Sequence, residues 1–274
     1  MKRFPLFKTS IISRLFGLFA NHEFNSPMQI TINKIYASAM KVDLKEFDPI
    51  ESYLSLNKLF TRSFKKPRLF DTKENIFISP CDSFVSACGK IQKNVALQIK
   101  GFTYNINRLL GDYISKSNKA LLLNGEYINF YLSPKDYHRY HAPIDMSITK
   151  AVHIPGKLYP VNMKWLQKVD ALFCENERVI LECYTTENKL FYMIFVGALN
   201  VGKMGFSFDE RIQTNAKSAI EQYYNYKNIQ IKKGEELGLF EMGSTIVMLF
   251  EHKSFTAALK EGLNVKFGES IGNK

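Results

Sequence analysis

Gly243-Ser244-Thr245 places a hydroxyl directly after a residue that has no side chain. The Gly243 carbonyl is unshielded, so the Ser244 hydroxyl can fold back and attack it. An ester then replaces the Gly243–Ser244 amide. A base that removes the Ser244 α-proton breaks that ester by elimination. The dehydroalanine left behind tautomerises to an imine, exchanges ammonia for water and becomes a pyruvoyl ketone. The chain would be cut into residues 1–243 and 244–274. The same tripeptide is more often a plain turn or the start of a strand. The chemistry therefore needs a base, a proton carrier and a group that orients the base, all supplied from elsewhere in the chain.

Residues 131–143 read Tyr-Leu-Ser-Pro-Lys-Asp-Tyr-His-Arg-Tyr-His-Ala-Pro and hold two of the five histidines, His138 and His141. Histidine is the side chain best suited to moving protons near neutral pH. A spacing of three also suits two metal ligands on a helix, and buried structural histidines fit the pattern too. Pro134 and Pro143 argue for a loop and no third ligand is evident, so no metal is expected. Asp82, in Ser79-Pro80-Cys81-Asp82-Ser83, is either a turn former or a carboxylate that holds a histidine in the right tautomer. Sequence spacing does not decide whether these groups meet. Cys81, Cys88, Cys174 and Cys183 form no C-x-x-C pair and read as free, buried thiols.

The net charge of +11 favours an anionic partner, either nucleic acid or an acidic membrane surface. The Lys and Arg are dispersed and form no nucleic-acid motif, so the membrane is the expected partner. With 46% hydrophobic and 23% charged residues the chain is globular. No apolar run reaches the ~18–20 residues of a spanning helix. The closest, 190–202, fits a buried strand and turn better. Residues 5–21 place Phe7, Ile11, Ile12, Leu15, Phe16, Leu18 and Phe19 mostly on one helical face, with Lys8 and Arg14 off it. Such a helix lies in a membrane interface or packs on the protein body. Arg14 interrupts the stretch and no small-x-small site follows it, so a signal peptide is not expected.

The positioning elements fall into two textures. Asn25-Ser26-Pro27 predicts a helix with Ser26 as its cap, running to about Met40. Asp48-Pro49-Ile50-Glu51 predicts another through Tyr53, Leu54, Leu56, Leu59 and Phe60, ending in the basic cluster Thr61–Arg68. From residue 76 short β-rich runs dominate, including Ser83–Gln92, Tyr127–Leu132, Ser147–His153, Arg178–Tyr184, Leu190–Gly197, Gln230–Lys232 and Ser244–Phe250. The expected fold is α+β, with helical residues 1–66 followed by a mainly antiparallel β domain over 67–274.

Four blocks, taken in order, resemble the pyruvoyl-dependent, membrane-associated phosphatidylserine decarboxylase family. They are Leu56-Asn57-Lys58-Leu59-Phe60-Thr61-Arg62, Ser79–Ser83, the histidine block Tyr131–Pro143 and Gly243-Ser244-Thr245. Lys100-Gly101-Phe102-Thr103-Tyr104, Leu172–Val179 and Val196-Gly197-Ala198 match more weakly. The resemblance implies that the chain cuts itself between Gly243 and Ser244, so that Ser244 becomes the covalent pyruvoyl group. It implies an Asp82–His141–Ser244 relay for that cut, and His138 for proton handling during decarboxylation. The substrate amine would form a Schiff base at residue 244, and phosphatidylserine would leave as phosphatidylethanolamine and carbon dioxide. The family's habits further imply a heterodimer of the chain's own two pieces, peripheral on the cytoplasmic face of the cell membrane. Two positions depart from the pattern. Met242 stands where leucine is usual, an apolar exchange. Ser83 stands where glycine is common and would strain the turn if φ were positive there.

Overall fold

The computed structural model describes residues 15–99, 101–199, 203–214, 220–241 and 244–274. Residues 1–14, Lys100, Met242 and Gly243, which the sequence reading used, lie outside them. The fold is α+β, with N-terminal helices preceding a mainly antiparallel β body.

An eight-stranded antiparallel sheet forms the body. Its strands lie in the order Gln222–Ile231, Met146–Ile154, Arg178–Thr185, Leu190–Val196, Ser244–Phe250, Glu126–Leu132, Ser83–Lys90 and Asn264–Val265. The central strands are apolar at nearly every position because both faces are covered. Phe191, Met193 and Phe195 enter one core while Leu190, Tyr192, Ile194 and Val196 enter the other. Along Ser244–Phe250 the split is Ile246, Met248 and Phe250 against Val247 and Leu249. Two further sheets lend residues to the first core. One pairs Ile76–Ile78, Ser270–Asn273 and Thr256–Ala257. The other pairs Met204–Phe206, Glu236–Phe240 and Arg139–His141, and adds Met204, Phe206, Leu237, Phe240 and Tyr140 to that core.

The helical region differs from expectation in two places. The Ser26–Met40 helix is capped by Asn25, whose side chain accepts from Met28 N, and not by Ser26. The predicted second helix is a 3₁₀ turn, Ile50–Ser52, and a separate helix, Leu56–Phe60, capped by Ser55. Extended Tyr53 interrupts them, and its carbonyl is used by the buried Asn33 side chain of the preceding helix. Residues 15–21 are helical. No described helix is long and apolar enough to cross a membrane. All four cysteines are free, with Cys88 alone partly exposed.

Candidate active site

Ser244 opens a central strand, opposite Leu132 and with no break in register through Phe250. Side chains alternate along a strand, so Ser244 shares a face with Ile246, Met248 and Phe250. That face shares its core with the three-stranded sheet that ends in His141. Ser244 is fully buried and its Oγ has no hydrogen-bond partner. An unpaired buried hydroxyl costs about 1–3 kcal/mol, so stability alone does not account for a serine here.

His141 closes the Arg139–His141 strand, and its backbone N donates to Pro80 O at 2.9 Å. This bond ties the histidine to the turn that carries Asp82. The His141 Nδ1 lies 2.9 Å from Gly234 O. A carbonyl only accepts, so in the neutral ring the hydrogen sits on Nδ1 and the lone pair on Nε2. The Tyr137 hydroxyl, 3.0 Å away, donates to that lone pair. Asp82 accepts from Phe267 N at 2.8 Å and forms a two-pronged ion pair with Arg68, whose Nη2 lies 3.0 Å from Oδ2. The His141 ring stacks on Phe267 with centroids 3.9 Å apart. Asp82 and His141 therefore meet at Phe267, without a hydrogen bond between them. Ser83 begins its strand outside the positive-φ region, so the strain foreseen for serine at this position does not arise.

His138 sits in the loop before the His141 strand, consistent with the loop foreseen from Pro134 and Pro143. Its Nδ1 donates to Asp136 O at 2.8 Å, which again leaves the lone pair on Nε2. That Nε2 is buried and unpartnered. The ring packs on Phe60 at 3.9 Å, and the His138 carbonyl accepts from Phe240 N at 2.9 Å, on the strand leading toward Gly243. Burial pushes His138 down to about 3 and His141 to about 4, each only partly offset by its hydrogen bond to a carbonyl. Both are neutral near pH 7. Glu241, two residues before Gly243, is raised, chiefly by burial. Among the described residues no three of His, Cys, Asp and Glu gather in a group that could hold a metal ion.

An apolar groove of about 530 Å³ lies beside these residues. Phe16 and Phe19 of the 15–21 helix, Ile32, Ile35, Tyr36, Ala39 and Met40 of the next, and Leu56, Pro134 and Leu199 line it. Its remaining wall is Phe60, the residue packed on His138.

Residues 56–273 match the sequence profile of phosphatidylserine decarboxylase. A phosphatidylserine decarboxylase proenzyme of Helicobacter pylori is 49% identical over 265 residues, covering 96% of this chain and 97% of the relative. The proenzyme of Campylobacter jejuni is 46% identical over 95% of this chain and 97% of its own length. That of Coxiella burnetii is 34% identical over 95% and 93%. The chain belongs to the phosphatidylserine decarboxylase family. Membership makes it a decarboxylase, a carbon–carbon lyase.

Sequence reasoning singled out Ser244, His138, His141 and Asp82 but missed the groups that hold them. Tyr137 stood inside the histidine block, where its phenol could have been read as a histidine partner. Arg68 stands in the sequence only as the end of a basic cluster. Phe267 carried no signal, because it reaches Asp82 across 185 positions of chain.

Proposed function

We propose that the chain is a self-cleaving proenzyme that converts phosphatidylserine to phosphatidylethanolamine and carbon dioxide, with a pyruvoyl group made from Ser244. The observation that carries this reading is the buried, unpartnered Ser244 hydroxyl directly after Gly243. Its strand shares a hydrophobic core with Tyr140 of the strand that ends in His141.

In the self-cleavage step the Ser244 Oγ attacks the Gly243 carbonyl carbon and gives up its proton. The amide C–N bond breaks, and the Ser244 nitrogen takes a proton as it leaves. His141 is assigned as the base, through the Nε2 lone pair that Tyr137 holds in reserve. Asp82 is assigned to supporting it through Phe267, whose backbone N it binds and whose ring stacks on His141. Removal of the Ser244 α-proton then splits the Cβ–O bond and releases the Gly243 carboxylate. The Ser244–Phe250 strand is hydrogen-bonded to Glu126–Leu132 on one side and Leu190–Val196 on the other. The 244–274 piece therefore stays in the sheet as half of a heterodimer with residues 1–243.

During decarboxylation the pyruvoyl group supplies the sink for the electron pair left when carbon dioxide departs. His138 handles the proton. A histidine whose pKa lies at about 3 is neutral between turnovers and a strong donor once protonated. The groove that ends on Phe60 offers the substrate's acyl chains an apolar path toward His138. Exposed Leu15, Leu18 and Ile35 on the same helical region suit a peripheral protein on an anionic membrane, at its cytoplasmic face. Residues 1–66 form the membrane-associating region and 67–274 the catalytic one. Ser244→Ala removes the attacking hydroxyl and is expected to give an uncut chain that releases no carbon dioxide from phosphatidylserine. A cut or active Ser244→Ala protein would overturn the proposal.

A further inference from the structure

The block Leu56–Arg62 ends in a guanidinium that the chemistry above leaves unused. Arg62 is 3% exposed. Among the described residues it has no carboxylate within ion-pair distance, and its donors go to backbone carbonyls. Nη1 reaches Leu59 O at 3.4 Å, and Nη2 reaches Lys135 O at 2.7 Å and Asp136 O at 3.1 Å. Its Nε is buried with no partner, and its face lies 4.5 Å from the Phe47 ring centroid. Keeping a cation in this environment is costly.

Asp136 O is also the acceptor for His138 Nδ1. One carbonyl therefore takes a hydrogen bond from the imidazole and another from the guanidinium. The residue two before Arg62 is Phe60, which packs on the His138 ring. One short helix and the residues just after it thus hold His138 by its ring and by the carbonyl that fixes its tautomer. The Asp136 carboxylate forms no ion pair with Arg62, and its Oδ2 accepts from Ser133 N and Ser133 Oγ at 2.7 Å each.

We propose that Arg62 is a positioning residue for His138, acting through the Asp136 carbonyl that the two side chains share. The inference rests on the assignment of His138 to the decarboxylation step. Two effects follow. Nη2 takes both the Lys135 and Asp136 carbonyls while Nη1 reaches Leu59 O, so the planar fork ties the loop to the Leu56–Phe60 helix, which keeps the hydrogen on Nδ1 and Nε2 free. The charge also disfavours a second positive charge on the imidazole. The titratable groups that act on the guanidinium are Tyr36 from the Ser26–Met40 helix, Tyr53, Asp82 and Asp136. None of them forms an ion pair with His138.

The test compares wild type, Arg62→Lys and Arg62→Gln. Self-cleavage is read by intact mass, and kcat and KM are measured against pH on detergent-solubilised phosphatidylserine. Both variants are expected to be cut as wild type is. Arg62→Gln should lose about 10- to 100-fold in kcat, the range for losing a group that orients a catalytic histidine. Its acid limb should move to higher pH, because His138 protonates more easily without the neighbouring charge. Arg62→Lys keeps the charge but loses the fork, so kcat should fall while the acid limb stays in place. Wild-type kcat in a cut Arg62→Lys protein overturns the inference, even if Arg62→Gln does not fold. So does a cut Arg62→Gln protein with an unmoved acid limb. An uncut wild type that still decarboxylates phosphatidylserine would instead overturn the pyruvoyl reading, and the two failures are thus distinct.

Discussion

His138 and His141 are buried and neutral in the folded protein, with pKa values depressed to about 3 and about 4. In the unfolded chain each takes up a proton near 6.5. Below that pH the unfolded state binds more protons than the folded one, so stability falls as pH drops toward the folded values. At pH 5 each histidine is expected to have removed roughly 2 kcal/mol of the stability present at pH 7. Thermal unfolding measured from pH 7.5 to 4.5 checks this. The drop should shrink in His138→Gln, and an equal drop in wild type and variant would contradict it. The four candidate site residues stand out in the sequence because their types carry chemistry. Their partners do not, since nothing local in the sequence says that Phe267 N reaches Asp82 or that Arg62 reaches Asp136 O.

At the scale of elements, strands buried on both faces are legible in the sequence, and the others only in part. Leu190–Val196 and Ser244–Phe250 announce themselves as continuous apolar runs because both of their faces are covered. Arg139–His141 and Met204–Phe206, three residues each, are too short to show a period, although with Glu236–Phe240 they carry His141. Gln222–Ile231 runs far longer than Gln230–Lys232 because an edge strand stays largely exposed and polar, which masks it. Gly238 is where the small sheet is most tightly built. It has φ +155, and a Cβ there would lie 1.9 Å from Gly205 O on the neighbouring strand. Gly238→Ala forces those backbones apart and should cost at least about 1–3 kcal/mol. It should also slow self-cleavage, because the strand that carries His141 shifts with it. Denaturant unfolding and the fraction of cut chain measure the two effects. Wild-type stability together with full cleavage would contradict this account of the sheet.

For the whole molecule, the β body holds the proposed reacting groups and the N-terminal helices present apolar surface beside them. Leu18 is 71% exposed and Ile35 is 65% exposed. Each is expected to enter the membrane, where burying one such side chain is worth about 1.5–3 kcal/mol. Leu18→Asp and Ile35→Asp should therefore each weaken sedimentation with anionic vesicles at least about tenfold. Self-cleavage should be unaffected, since Ile35 meets the apolar groove and neither residue belongs to the cleavage chemistry. Unchanged vesicle binding in the double variant would remove this face from the membrane contact.

The central claim, that Ser244 is converted by cleavage after Gly243, is tested most directly by an intact mass spectrum of the purified, denatured wild-type protein. Two species are predicted: residues 1–243, and residues 244–274 beginning with a pyruvoyl group in place of Ser244. A single uncut chain of 31.6 kDa from a preparation that decarboxylates phosphatidylserine would contradict it.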